Sequence, residues 1–440
     1  MSTLTLGIIV LVVLMITGIP VAFSFLGSAA IMALNGGYNP AFMVPFGYSR
    51  LNSILLLAMP MFILAGAIME YGGIGEKLVN AGNRIFGRIK GGLAVLTVLA
   101  CGIFGAISGS STATLSCIGS IMAPKLAEKK YPEGVVGALL ANSAIIGILI
   151  PPSTIMVLYG WAGNISVLAC FLSTVIPGII TIMLMSATTL FCLRKSDIQV
   201  VTREDIAIMK EKSRIGPDGK KVPGSIPALV MPFLILGGIY TGLFTPTEAA
   251  AVSCIYAIPI GFWVYRELNA KTFWETLVKA GLTSGVILIL TFGTNILGRI
   301  FIDEKLPTIL MDGMLYISEN RAVIMIMINV FLVVIGMLMS DVSATLLVTP
   351  ILVPLVIKLG FDPVHFAAIL AVNLGFGNVT PPAAPLLYLS SRVTGTPVKD
   401  ILWPNTIYLA FVWFPVLVLT VAFPQLSLAL PRMILNYFPS

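Results

Sequence analysis

Six stretches of this chain, residues 53–69, 167–193, 226–243, 249–265, 322–340 and 405–423, contain no Asp, Glu, Lys or Arg. Each approaches the ~20 apolar residues that a helix needs to cross the hydrocarbon core of a bilayer. No water is available there to satisfy a free N–H or C=O, so a chain crosses only as closed helices or a closed barrel. Continuous apolar runs, in place of alternation, select the helix. Hydrophobic residues make up 58% of the 440, only 10% are charged, and mean hydropathy is +1.01. Soluble domains carry roughly 25% charged residues. An all-α polytopic membrane protein is expected. The net charge of +7 then reads as Lys and Arg in cytoplasmic loops, not as a nucleic-acid footprint. The opening MSTLTLGIIVLVVLMITGIPVAF lacks a basic leader and reads as a retained segment, one tilted span or two short ones within 4–34. Cys101, Cys117, Cys170, Cys192 and Cys254 have no metal-like spacing and read as small buried hydrophobes.

One long polar stretch, 194–225, divides the chain and carries eight Lys or Arg against five Asp or Glu. It reads as a cytoplasmic linker between a first membrane repeat, 1–193, and a second, 226–440. The halves repeat: Thr114 and Thr345, Pro132 and Pro363, and Asn142 and Asn373 are each 231 positions apart. The basic flanks 84–90 and 125–130 place both ends of 91–124 on one side of the membrane, as two full spans or a re-entrant hairpin. The small polar centre, AISGSSTAT, favours the hairpin. The equivalent flanks 302–322 and 358–363 are not basic and fit the opposite face. Hairpins are expected at about 91–130 and 321–360, in an inverted-topology arrangement. Between first span and first hairpin, 73–90 has Leu78, Ile85, Phe86 and Ile89 on one face, with Asn80, Asn83, Arg84 and Arg88 largely opposite. This is either an interfacial brace or an ordinary loop helix.

Each half also carries a Pro-Pro pair inside an apolar stretch, Pro151-Pro152 in GILIPPSTIM and Pro381-Pro382 in FGNVTPPAAP. Such a pair ends a helix, so helices broken at depth are expected over about 133–160 and 363–391. Broken backbone survives there only in protein or beside a wet cavity. The incoming helix offers carbonyls to a cation and the outgoing one offers N–H groups to a carboxylate. Ser, Thr and Asn oxygens suit a hard cation such as Na⁺. Ser110, Ser111, Thr112 and Thr114, and their counterparts Ser343 and Thr345, are candidates that can equally cap helices. Asn142 and Asn373 are either ligands or interhelical glue. Gly375, Gly377, Asn378 and Thr380 populate the second break. Asp341, the one acid inside the second hairpin, is read as a substrate or ion residue, with an N-cap as its alternative. His365 reads as interfacial, and Arg299 and Arg321 as snorkelling. No phosphate loop, HExxH, paired CxxC or nucleophile elbow is present, so the chain is not expected to be an enzyme.

GIFGAISGSSTAT (102–114), ILIPPST (148–154), NVTPP (378–382) and the hairpin–broken-helix order of both halves resemble the large membrane subunit of tripartite ATP-independent periplasmic (TRAP) transporters. The length suits a free-standing large subunit. The resemblance implies a multi-pass protein of the bacterial inner membrane, with an elevator-type fold like that of divalent anion–sodium symporters. It implies a small four-helix membrane subunit and a periplasmic substrate-binding protein as partners, an organic acid as substrate, and Na⁺ as coupling ion with no cofactor. One Na⁺ site would join Ser110, Ser111 and Thr112 to backbone around Gly147 and Pro151. A second would join Ser343 and Thr345 to Gly375, Asn378 and Thr380. The substrate carboxylate would lie near Ser111, Ser153 and Asp341. Ala383 stands where the first break has Ser153, which puts a symmetric substrate role in doubt. A self-sufficient anion symporter or exchanger of similar fold is the competing reading.

Overall fold

A computed structural model describes residues 2–86, 89–202, 211 and 214–437; of 83–86 only the backbone is considered. Among the described residues the chain is helical throughout, apart from one isolated bridge between Ile215 and Lys221 in the linker. Among the described residues, seven helices are long and apolar enough to cross a membrane: Ile54–Tyr71, Val167–Leu193, Pro246–Val264, Ala270–Asp303, Arg321–Leu338, Asp341–Lys358 and Val398–Ala422. This is a multi-pass membrane protein. The pair Glu133–Leu149 and Thr154–Gly163, bent by 44° where Pro151 and Pro152 interrupt it, is together long and apolar enough for a broken span or a re-entrant loop. The opening segment is two short helices, Thr3–Ile16 and Val21–Asn35, separated at Gly18, Ile19 and Pro20.

Polar loops gather at two ends. At one, Lys90 Nζ donates to Arg194 O at 3.2 Å, Gln199 N donates to Lys129 O at 3.0 Å, and Arg266 pairs with Asp218 at 2.8 Å. At the other, Tyr38 donates to Glu304 at 2.9 Å, Tyr159 to Pro363 O at 2.6 Å, and Tyr437 to Asp362 at 3.2 Å. The helices Val167–Leu193 and Ala270–Asp303 run between these ends. The latter has 34 residues, about 50 Å at 1.5 Å per residue.

The first hairpin, Gly92–Ser108 and Ser111–Glu128, leaves and returns to the linker end. The second, Arg321–Leu338 and Asp341–Lys358, starts and finishes at the far end, where the Arg321 guanidinium packs on Gly360. The second broken helix is Pro363–Asn378 followed by Pro385–Thr394. Both Pro-Pro bonds are cis.

Glycine lets backbones cross inside this block, where small residues replace the hydrophobic effect as the source of helix–helix affinity. A Cβ at Gly105 would sit 2.1 Å from Gly147 Cα, and one at Gly377 2.6 Å from Gly336 Cα. Gly105 and Gly336 are 231 apart, and Gly147 and Gly377 are 230 apart. The repeat is thus a repeat of close crossings between each hairpin's first arm and its broken helix. The amphipathic segment is helical over Ile74–Phe86 and docks on the first hairpin: Leu78 is buried, and Asn80 Oδ1 accepts from Lys125 Nζ at 3.2 Å. The side chains of Asn83, Arg84, Ile85 and Phe86, and all of Arg88, lie outside the described residues.

Candidate functional site

At the first hairpin tip, Gly109 turns the chain in the left-handed region (φ +60°), and a Cβ there would press on Pro152 O at 2.9 Å. Its carbonyl accepts from Thr154 N at 3.1 Å, so the tip is tied to the helix that restarts after Pro151 and Pro152. Ser110 caps the second arm: its Oγ accepts from Ala113 N at 3.4 Å and lies 3.0 Å from Thr112 Oγ1. Thr114 Oγ1 donates to Ser110 O at 2.7 Å and lies 3.2 Å from Ser108 Oγ.

The second tip repeats this local chemistry. Ser340, not Asp341, is the N-cap: its Oγ accepts from Ser343 N at 3.3 Å and lies 2.9 Å from Ser343 Oγ. Thr345 Oγ1 donates to Asp341 O at 2.7 Å, the counterpart of the bond from Thr114 to Ser110. Asp341 is the first helical residue, and its carboxylate is shared. Val342 N donates to Oδ1 at 2.9 Å, and Ser111 Oγ, from the other hairpin, donates to Oδ2 at 2.9 Å. The two tips therefore meet through a buried, charge-assisted hydrogen bond, a contact worth about 1.5–3 kcal/mol.

The tips form one wall of a cavity of about 360 Å³ that Ser110, Thr112, Thr154, Asp341 and Ser343 line. The opposite wall is Gly66 and Glu70 of Ala58–Tyr71 with Lys279 and Thr283 of Ala270–Asp303. Lys279 Nζ donates to Tyr71 OH at 2.7 Å, lies 4.9 Å from that ring's centroid and stands 4.0 Å from Glu70 Oε1. Glu70 and Asp341 against Lys279 give the cavity a formal charge of −1.

Of the first set of cation candidates, Ser110 and Gly147 come together, with Thr114 beside them, while Ser111 bonds Asp341 and Thr112 lines the cavity. A Cβ on Gly147 would lie 2.6 Å from Thr114 Oγ1 and 3.4 Å from Ser110 O. Hydroxyl, carbonyl and exposed backbone there are hard oxygen donors of the kind Na⁺ takes. Pro151 is buried beside them in the chain. Ser153 is fully buried and its Oγ has no partner; Thr154, with an unpartnered Oγ1, lines the cavity in its place.

The second set is looser. Gly375 is turned toward Ile145 and Trp413, and Thr380 Oγ1 donates to Phe376 O at 2.7 Å on its own helix. Asn378 is buried with Oδ1 unpartnered. No hydrogen bond joins Ser343 or Thr345 to Gly375, Asn378 or Thr380 among the described residues; Gly377 makes the close approach there, to Gly336.

The two asparagines differ as well. Asn142 is fully engaged, donating to Asn405 Oδ1 and Ala138 O and accepting from Trp413 Nε1, each at 2.8 Å. Asn373 donates to Asn329 Oδ1 at 2.7 Å, but its own Oδ1 has no partner. His365 is buried at its helix start, where Asp362 caps. Arg299 reaches Asp303 at 3.0 Å along its helix. Sequence reasoning missed Glu70 and Lys279. The signal for them was an acid and a base flanking long apolar runs, at 58–69 and 280–298.

The family model described as the DctM component of the tripartite ATP-independent periplasmic transporter matches residues 8–426. The chain is 34% identical over 425 residues to the sialic acid TRAP transporter large permease protein SiaM of Vibrio cholerae, covering 96% of this chain and 97% of that protein. It is 31% identical over 381 residues to the C4-dicarboxylate TRAP transporter large permease protein DctM of Pseudomonas aeruginosa, covering 86% of each. It is 34% identical over 388 residues to the isethionate TRAP transporter permease protein DctMQ of Oleidesulfovibrio alaskensis, of which it spans 60%. The crystal structure of the Alcanivorax borkumensis YdaH transporter shares the fold, with a TM-score of 0.57 at 15% identity over 88% of each chain. This chain belongs to the tripartite ATP-independent periplasmic transporter family, as its large membrane subunit.

Proposed function

We propose that this chain is the transport subunit of a secondary importer that carries a small organic anion across the bacterial inner membrane, driven by Na⁺. The observation that carries the reading is the bond between Ser111 and Asp341, which unites both hairpin tips in the wall of a cavity that also holds Lys279. A formal charge of −1 in that cavity opposes an incoming anion. Cations bound behind the tips would reverse the sign, and this is the physical reason for coupling. Ser110, Ser111, Thr112, Gly147 and Pro151 would hold one Na⁺, and Ser343, Thr345, Gly375, Asn378 and Thr380 a second. The substrate head would rest near Asp341 and the Ser111 bonded to it, with Thr154 facing the cavity in place of the buried Ser153 and Lys279 on the opposite wall. The proteins similar to this chain are named for sialic acid, C4-dicarboxylates and isethionate, all carboxylates or sulfonates. That supports the same class of substrate here.

Hairpins that return to opposite ends support inverted-topology repeats, with the linker on the cytoplasmic side. Hairpins and broken helices would slide as one block along Ala58–Tyr71 and Ala270–Asp303, in an elevator motion. A small four-helix subunit and a periplasmic binding protein would complete the machine. The test is uptake into vesicles holding the chain and both partners, screened with carboxylates and sulfonates. Uptake should require an inward Na⁺ gradient. Uptake indifferent to that gradient would overturn the coupling, and uptake by this chain alone would favour the self-sufficient symporter.

A further inference from the structure

A second cleft, of about 200 Å³, opens on the same three helices that wall the tip cavity. The tip cavity takes Thr154, Lys279 and Asp341; this one takes Gly163, Arg299 and Thr349, further along each helix. Along Ala270–Asp303 the two linings come no nearer than Leu290 and Thr294, about one 5.4 Å helical turn. Gly298 packs beside Pro350, and the lining continues past them to Ile302 and Pro354, away from the tips. The cleft therefore lies at the end of the seam remote from the linker. It adjoins a wider cleft of about 740 Å³, with which it shares Phe46, Arg50 and Trp161.

Charge distinguishes this end from the tip cavity. Arg50 and Arg299 line the narrow cleft, and no Asp or Glu lines either cleft; with Asp303 paired to Arg299 the formal charge is +1, against −1 at the tips. Arg50 meets no carboxylate among the described residues; its guanidinium rests 5.5 Å from the Phe46 ring centroid. Arg299 spends its Nε on Asp303, and its Nη groups make no hydrogen bond among the described residues. Asn295, whose Nδ2 donates to Thr291 O at 2.7 Å, also lines the cleft. Two planar forks with open N–H groups match the geometry of an oxyanion head.

We propose that the Arg50–Arg299 cleft is an anion-binding station that holds the carboxylate or sulfonate of the substrate at the far end of the seam, before the anion reaches the hairpin tips. It rests on the transport reading for its direction, not for its chemistry. An anion would be captured where the field attracts it and released toward the tips once Na⁺ has neutralised them. A lipid phosphate shares this chemistry, so the test separates the two.

Trp161 lines both clefts and reports binding directly. Titration of the detergent-purified chain with succinate and isethionate should change its fluorescence, and Trp161→Phe should abolish the change. Arg50→Gln and Arg299→Gln should each weaken that titration by ~10–100-fold, the loss expected of one charged hydrogen bond, with Arg50→Lys partly restored. In vesicles the same variants should raise KM for substrate added at the far end, leaving maximal rate and KM from the linker end within about two-fold. A signal given by anionic lipid vesicles and not by organic anions overturns the proposal, as does an Arg50→Gln titration equal to wild type. If wild type fails to transport but the Trp161 signal answers to organic anions, the station stands and the transport reading falls. If Na⁺-driven uptake is intact and neither arginine matters, the reverse holds.

Discussion

The two Pro-Pro breaks occupy matching places in the two halves but are held in place differently. The first is fastened to its own hairpin, since Gly109 O accepts from Thr154 N at 3.1 Å. The second is fastened from outside: Val379 O accepts from Asn405 Nδ2 at 2.8 Å, and Asn405 in turn accepts from Asn142 of the first broken helix. After its prolines the second chain turns through Ala384 at φ +36°, with no hydroxyl where the first has Ser153 and Thr154. The two halves share the close backbone crossings and differ in their polar chemistry. The first break keeps one unpartnered hydroxyl, that of Thr154, at the tip cavity, and the second half contributes the acid, Asp341, from its hairpin tip.

The largest effect is expected where the halves meet. Asp341→Ala should lower Na⁺-driven uptake by ~100-fold, because it removes the charge and strands the Ser111 hydroxyl, and Ser111→Ala by about ten-fold. The complex should remain assembled in both. Uptake within two-fold of wild type for Asp341→Ala would remove the shared-tip assignment.

Next comes the comparison of equivalent threonines. Thr114→Ala removes an oxygen beside Gly147 and Ser110 O, whereas Thr345→Ala removes one whose bond among the described residues is to Asp341 O of its own helix. A rise in the Na⁺ concentration for half-maximal uptake, by about ten-fold for Thr114→Ala and less for Thr345→Ala, would match the tighter first set. The opposite order would show that the second set closes around its ion more tightly than its present geometry indicates.

Packing offers a sharper version. A Cβ at Gly105 meets Gly147 Cα at 2.1 Å, while one at Gly336 meets Gly377 Cα at 3.2 Å. Backbone cannot yield as a side-chain tip does. Gly105→Ala should therefore cost about 1–3 kcal/mol, the usual toll of overpacking, and Gly336→Ala less. Thermal unfolding in detergent measures both, and equal shifts would erase the asymmetry.

Much of this architecture is legible in the residues themselves. The 231-residue offset that aligns Thr114 with Thr345 also aligns Gly105 with Gly336, and the tips and broken helices fall where small polar residues and Pro-Pro pairs place them. Lys279 is not legible in that way. The helix Ala270–Asp303 begins with Lys271, Glu275 and Lys279, so its first turns look like loop, and only the observed N-cap at Asn269 shows Lys279 to be well inside. Nor can periodicity tell which way Gly375 faces, because a fully buried helix has no polar side. The docking of Ile74–Phe86 on the first hairpin through Lys125 and Asn80 is equally hidden, being a contact between segments about 45 residues apart with no shared pattern.

The smallest effect separates glue from ligand. Asn142→Ala leaves Trp413 Nε1 and Asn405 Oδ1 without their partner, so a stability loss of about 1–3 kcal/mol is expected with unaltered Na⁺ dependence. Asn373→Ala breaks one interhelical bond, to Asn329, and bonds of that kind inside membranes average only about 0.6 kcal/mol. Its unpartnered Oδ1 lies in the helix that leads to the second break, between the crossing at Gly377 and the cap at Asp362. Should Asn373→Ala raise the Na⁺ requirement while barely moving the melting temperature, the second half has kept an ion oxygen where the first has turned its equivalent into a structural clasp. A purely thermal effect would instead make both asparagines glue and confine divergence to the tips.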